Sequence, residues 1–165
     1  MRELLLGVDI GTSACKVAVF NKEGEVIASG NGGYQVYYPH PGWAEQNPDE
    51  WWSAVCSAIG DVLKKGDIKG IGVDGQSWSA IPIDKEGNVL ANTPIWMDTR
   101  AQSICDRLNA GIGADNIFQV AGNSMQPSYS TAKILWYKEN LPEVYEKTYK
   151  ILQSNAFIVY RFTGI

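Results

Sequence analysis

The sequence has 165 residues, 45% hydrophobic and 19% charged, with a formal net charge of −4; these values suit one folded domain with a core of its own. The acidic balance and the scattering of its Lys and Arg argue against capture of a nucleic-acid backbone or an anionic lipid surface. The opening Met1-Arg-Glu-Leu-Leu-Leu-Gly-Val8 has too short an apolar stretch and too early an acid for a signal peptide, and no later run approaches a membrane span; the sequence reads as cytoplasmic.

In chain order, Leu4 to Val8, Lys16 to Phe20 and Glu25 to Ser29 predict three strands of an antiparallel meander, joined by Asp9-Ile-Gly-Thr-Ser13 and by Asn21-Lys-Glu-Gly24. The β-branched residues of the second and third segments suit a pleated surface, and Gly24 supplies the positive φ that such a turn requires. Residues 30–46, rich in Gly, Tyr and Pro, read as an irregular connection. A helix start follows: Asn47 caps, Pro48 takes the first helical position and Glu50 stands three after the cap, with Trp51, Trp52, Val55, Ile59, Val62 and Leu63 on an apolar face and Gly66 closing it after two lysines.

Ile68 to Val73 and Ala80 to Ile83 read as strands, and Asp84-Lys-Glu-Gly87 turns into Val89 to Ala91. The segment Phe20-Asn-Lys-Glu-Gly-Glu-Val-Ile-Ala28 is echoed by Ile83-Asp-Lys-Glu-Gly-Asn-Val-Leu-Ala91, which predicts one hairpin solution used twice rather than a stacked repeat. From Thr99 onward the pattern is helical, over Arg100 to Asn109, Asp115 to Ala121 closed by Gly122, Thr131 to Glu139, Pro142 to Tyr149, and Ser154 to Phe162 closed by Gly164. The sum is α/β.

Cys15, Cys56 and Cys105 are an odd number at no metal-ligand or redox spacing and read as buried free thiols. The lone His40, between Pro39 and Pro41, is placed in a loop and given no chemistry.

The sharpest local signal is Asp9-Ile-Gly-Thr-Ser13 between two apolar strands, with Lys16 three residues on. Gly11 lets backbone N–H groups approach an anion, the Thr12 and Ser13 hydroxyls add donors, Lys16 adds charge, and Asp9 suits a magnesium ion held through water. On its own the segment is equally a polar hairpin turn, and it lacks the helix and lysine context of a Walker loop.

The stretch Leu6-Gly-Val-Asp-Ile-Gly-Thr-Ser-Ala-Cys-Lys-Val-Ala-Val-Phe20 resembles the first phosphate-binding loop of the actin and sugar-kinase superfamily. Gly70-Ile-Gly-Val-Asp-Gly-Gln76, Pro94-Ile-Trp-Met-Asp-Thr-Arg100, Ser128-Tyr-Ser-Thr-Ala-Lys-Ile-Leu-Trp136 and Tyr160-Arg-Phe-Thr-Gly164 follow in the order of the FGGY carbohydrate kinases, most similar to xylulokinases, and together span nearly the whole chain. The resemblance implies a ribonuclease H-like α/β fold, an antiparallel meander leading into a mixed sheet flanked by helices. It implies ATP and Mg2+ as cofactors, with Asp9, Gly11, Thr12, Ser13 and Lys16 toward the phosphates and Asp9 toward the metal, and a sugar pocket lined by Gln76, Ser77, Trp78 and Asp98. Amide, carboxylate and aromatic groups are the residue types that recognise a polyol.

Trp78 and Trp96 are candidates for the aromatic wall, with core packing as the other reading, favoured for Trp96. Arg100 is expected to have a structural partner such as Asp98 rather than a reacting phosphate. Two departures leave the sugar open: Ser77-Trp78 stands where xylulokinases carry Met-His and glycerol kinases Arg-Glu, and Ser128 stands where glycerol kinases have a substrate-contacting tyrosine.

In the family the general base is an aspartate farther along and a second domain binds the adenosine. Residues 1–165 are therefore expected to be the sugar- and phosphate-binding domain, incomplete at its C-terminal end, without the second nucleotide-binding domain and without the catalytic base; Asp74 is the one local carboxylate considered as a substitute. The expected activity is ATP-dependent phosphorylation of a small-molecule sugar, a pentulose such as xylulose favoured, in a protein that could form a homodimer. The alternative is a non-catalytic sugar- or partner-binding module that keeps the fold.

Overall fold

The computed structural model describes residues 3–63 and 66–165; of the readings above, the first two residues and the lysine pair closing the first helix lie outside the described residues. The chain divides into two compact units, one of residues up to Val36, Asn47–Gln76 and Ser154–Ile165, the other of Tyr37–Gln46 and Ser77–Gln153.

In the first unit, β1 (Glu3–Ile10), β2 (Ala14–Phe20), β3 (Val26–Gly33) and β5 (Asp67–Gly75) form a mixed sheet in the order β3-β2-β1-β5, antiparallel within the meander and parallel between β1 and β5. Its core is built by alternation: Leu4, Leu6, Val8 and Ile10 of β1 and Cys15, Val17 and Val19 of β2 are buried. Helix α1 (Pro48–Val62) covers β2 and β3 with Trp51, Ala54, Val55, Ala58, Ile59 and Val62, and α6 (Ser154–Thr163) adds Phe157 and Ile158 beside β5. Asn47 caps α1 by accepting the Asp49 N–H at 2.9 Å. Leu63, assigned above to the apolar face, and Cys56, assigned to the core, are both exposed.

Strand β3 runs to Gly33, through glycines that the sequence presents as loop material. The reason is tertiary: a Cβ on Gly30 would stand 2.8 Å from the Ala58 carbonyl oxygen, and one on Gly32 2.9 Å from the Ala54 Cβ, so these glycines admit the helix onto the sheet.

The second unit holds β4 (Glu45–Gln46) paired with β7 (Thr93–Pro94), and β6 (Ile81–Ile83) paired with β8 (Lys150–Leu152). Around them lie α2 (Gln102–Leu108), a π-helical turn over Asn109–Gly113, α3 (Ala114–Ala121), α4 (Ser130–Asn140) and α5 (Pro142–Lys147). Gly122 closes α3 in the left-handed conformation, as its position implied. β4, β7 and β8 are absent from the sequence reading, and Val89–Ala91 contributes a bridge from Val89 to Ile83 in place of a strand. Ala80, Ala101, Ile104, Cys105, Ala132, Trp136 and Tyr137 make this unit's core.

The repeated hairpin is one solution in both places. Asn21 Oδ1 accepts the N–H groups of Glu23 and Glu25, Asp84 Oδ1 accepts those of Glu86 and Asn88, and Gly24 and Gly87 follow with φ of 82° and 86°.

Close helix–sheet packing predicts that Gly32→Ala lowers stability by about 1–3 kcal/mol. Gly60→Ala, on α1 where no atom lies within 4 Å of the added Cβ, is expected to raise it by about 0.4–1 kcal/mol. Urea unfolding midpoints of the two variants decide, and equal effects would contradict the packing described.

Candidate functional site

Alternation along β1 buries Val8 and Ile10 and so turns Asp9 to the opposite, exposed face of the sheet. Register then sets its neighbours: Asn31 lies beside Lys16, Lys16 beside Asp9, and Asp9 beside Asp74 of the parallel strand β5. These four polar residues line a cleft of about 900 Å³ whose other walls include Gly7, Ala18, Phe20 and Gly72. Asp9 thus has a cation on one side and a carboxylate on the other.

Beyond Asp9 the chain turns through the elbow Gly11-Thr12-Ser13. The Gly11 N–H donates to the Ala14 carbonyl at 3.1 Å, and the Ser13 and Lys16 side chains are exposed. Two groups brace the elbow from within the unit. Tyr34 donates its hydroxyl to the Gly11 carbonyl at 2.6 Å, and burial pushes that phenol up, keeping it a donor. The Gln76 N–H donates to the Ile10 carbonyl at 2.7 Å and its Nε2 reaches the Gly11 carbonyl at 3.4 Å, while Ser154 at the head of α6 donates to the Gln76 carbonyl at 2.7 Å.

In the second unit, Asp98 is fully buried. Its carboxylate accepts from the Ala44 N–H at 2.6 Å, from the Arg100 N–H at 2.9 Å and from Arg100 Nε at 3.0 Å, and the Arg100 fork continues to Glu45 at 2.7 Å. The guanidinium lies 3.9 Å from the centre of the Trp43 ring. Arg100 therefore has the structural partner foreseen for it. Asp98, assigned to the sugar pocket, has its oxygens taken up by this network.

Trp78, with a φ of 64°, is the non-glycine residue of positive φ among the described residues. The residue is 43% exposed, and its ring rests against Tyr129 at a centroid distance of 5.0 Å. Both line a smaller cleft of about 400 Å³ with Met125, Ser124 and Thr131. Trp96, for which core packing was favoured, is also half-exposed. Beneath Trp78 lies Lys133 of α4, fully buried, its amine donating to the carbonyls of Trp78 at 2.7 Å and Ile95 at 2.9 Å. Burial pushes that amine down to about 7; the Asp98 carboxylate opposes the shift and the Arg100 guanidinium reinforces it.

The structure thus gathers Asp9, Gly11, Thr12, Ser13, Lys16 and Gln76 in the first unit, and Ser77, Trp78 and Asp98 in the second. Sequence reading missed Tyr34, Ser154 and Lys133. The signal for Lys133 was available: it shares a helix face with Ala132, Trp136 and Tyr137, where a lysine points inward.

A meander entering a mixed sheet, with an acidic strand end and a polar elbow beside it, defines a sugar-kinase-type domain of the ribonuclease H-like, actin-like fold. The profile of the FGGY family of carbohydrate kinases, N-terminal domain, matches residues 4–165, and the chain belongs to that family. It is 34% identical over 164 residues to the xylulose kinase of Escherichia coli, covering 98% of this chain and 34% of that protein. It is 33% identical over 174 residues to the glycerol kinase of Leifsonia xyli, covering 99% of this chain and 34% of that one. The crystal structure of gluconate kinase from Lactobacillus acidophilus superposes with a TM-score of 0.92 at 30% identity, over 99% of this chain and 34% of that chain. The chain spans about a third of the length of these relatives. No helix among the described residues is long and apolar enough to cross a membrane.

The depressed Lys133 amine has a pH signature. Between its folded value near 7 and its ordinary 10.5, the unfolded chain binds a proton that the folded chain lacks, so stability rises with pH across that window and the cost is fully present below it. Urea unfolding at steps from pH 7 to 10 is expected to show the parent gaining on Lys133→Met by up to about 1.4 kcal/mol per pH unit. Parallel profiles would exclude the shift.

Proposed function

We propose that this chain is the sugar- and phosphate-binding domain of an ATP-dependent carbohydrate kinase, acting with a second, nucleotide-binding domain that supplies the adenosine pocket and the general base. The observation that carries the reading is the row Lys16–Asp9–Asp74 beside the Gly11-Thr12-Ser13 elbow, in a chain of the FGGY family. The Ser13 hydroxyl, as a donor, and the Lys16 ammonium, as a charge, would hold the phosphates of the nucleotide.

The donor set suits magnesium, which binds through one or two carboxylates and keeps its other positions for phosphate oxygens and water. Asp9 would hold it, with Asp74 as the adjacent carboxylate, and the ion would neutralise charge on the phosphates. The chain's own contribution is positional: Tyr34 and Gln76 fix the elbow, and the buried side of β1 fixes the direction of Asp9.

In this reading Trp78 presents its indole to the C–H face of the sugar, Ser77 meets a hydroxyl, and Asp98 acts through the wall it anchors. A pentulose such as xylulose is the favoured substrate, on the strength of the similarity to xylulose kinases. Cytoplasmic residence and a homodimer of the full-length protein are parts of the same proposal.

The test is ADP release by the full-length gene product that carries this chain, coupled to an indicator and run over pentuloses, polyols, gluconate and glycerol. A pentulose is expected to give the highest kcat/KM, and Asp9→Asn to lower kcat on the order of 10²-fold or more. Undiminished turnover in Asp9→Asn would refute the phosphate assignment, whereas sugar binding without ADP release would favour the non-catalytic module.

A further inference from the structure

A tryptophan in the left-handed region is strained by on the order of 1–3 kcal/mol, and such a residue persists only where its surroundings over-determine it. The surroundings here are one turn of α4. Tyr129, whose carbonyl accepts the Lys133 N–H at 3.3 Å, supports the Trp78 ring, and the Lys133 amine holds the Trp78 carbonyl at 2.7 Å. The same amine holds Ile95, whose carbonyl also accepts the Asp98 N–H at 3.1 Å. One side chain therefore ties Trp78 to the turn that carries Trp96 and Asp98.

The strain does not serve the core. Trp78 is 43% exposed and lines the cleft of about 400 Å³, so the unusual backbone aims a large apolar ring outward. Burying the lysine is costly as well, since its amine must give up water. Shedding its proton leaves two N–H donors for the two carbonyls it meets. Two unfavourable features thus meet at one contact, and their joint product is the orientation of an exposed indole.

We propose that Lys133 is a positioning residue for substrate recognition, holding the Trp78 and Ile95 carbonyls on one amine so that Trp78 stays left-handed and its indole lines the cleft. The proposal rests on the reading that Trp78 faces the carbohydrate, and it deepens that reading by naming what aims the ring.

The experiment labels the full-length gene product with 5-fluorotryptophan, assigns the Trp78 ¹⁹F resonance by its loss in Trp78→Phe, and compares the parent with Lys133→Met. The Trp78 resonance is expected to shift or split while those remote from Lys133 stay in place. The KM for the sugar is expected to rise about tenfold with the KM for ATP unchanged. A Trp78 resonance that does not move, or a sugar KM that does not change, overturns the proposal. If the parent phosphorylates no carbohydrate, the kinase reading fails, and the resonance still decides whether the clamp exists.

Should Lys133→Met fold poorly, the loss is measured again in a Trp78→Gly background, where glycine takes the positive φ without help. The destabilisation is expected to shrink by half or more; an equal loss in both backgrounds overturns the clamp.

Discussion

The site depends on one face of a four-stranded sheet being sealed. Leu4, Leu6, Val8 and Ile10 each contribute about 1.5–3 kcal/mol by leaving water, and because strand side chains alternate, their burial forces Asp9 to the other face. A slip of one residue in β1 would expose the aliphatic set and drive a carboxylate into the core, so the direction of Asp9 is protected by the whole apolar face. The glycines of β3 belong to the same constraint. They let α1 settle close enough to seal the sheet, and the sealed face leaves the polar row Asn31, Lys16, Asp9 and Asp74 as the product of register alone.

The second unit solves a different problem, that of holding extended and turning segments with few long strands. Its answer is a buried polar hub. Arg100 joins Asp98 to Glu45 while stacked on Trp43, and Asp98 also takes the Ala44 N–H, so one ion network ties residues 43–45 to the 95–100 turn. Buried ion pairs recover their desolvation only where each lone pair and proton is met. The Asp98 carboxylate, with four donor contacts, meets that condition.

Much of the fold was legible because its signals were local. The Asn21 and Asp84 turns are written in a side chain that bonds its own following backbone, and the start of α1 is written in Asn47 and Pro48; neither needs information from elsewhere in the chain. What was missed was decided at a distance. Gly30 and Gly32 read as loop until the helix that rests on them is known, β4 and β7 are two-residue strands that exist only as a pair, and the adjacency of Asp74 to Asp9 is a parallel register between separate segments. The elbow was singled out by residue type, but the bracing of Gly11 by Tyr34 and of Gln76 by Ser154 required coordinates.

The proposed reading assigns substrate choice to the second unit for a physical reason. Proteins named for xylulose, glycerol and gluconate match this chain at 30–34% identity over nearly its whole length, one of them with a TM-score of 0.92, so the backbone common to them does not choose the sugar. Choice must come from side chains set on that backbone, and discrimination among polyols that differ by a hydroxyl needs rigidly placed partners, because a loosely held group adapts to each and rejects none. Trp78 is held from two directions, its ring by Tyr129 and its backbone by a buried amine that has little freedom to move. In the proposed reading, a bulky, oriented, half-exposed ring beside the sugar would restrict which polyols enter, and such a restriction is what specificity on a shared fold requires.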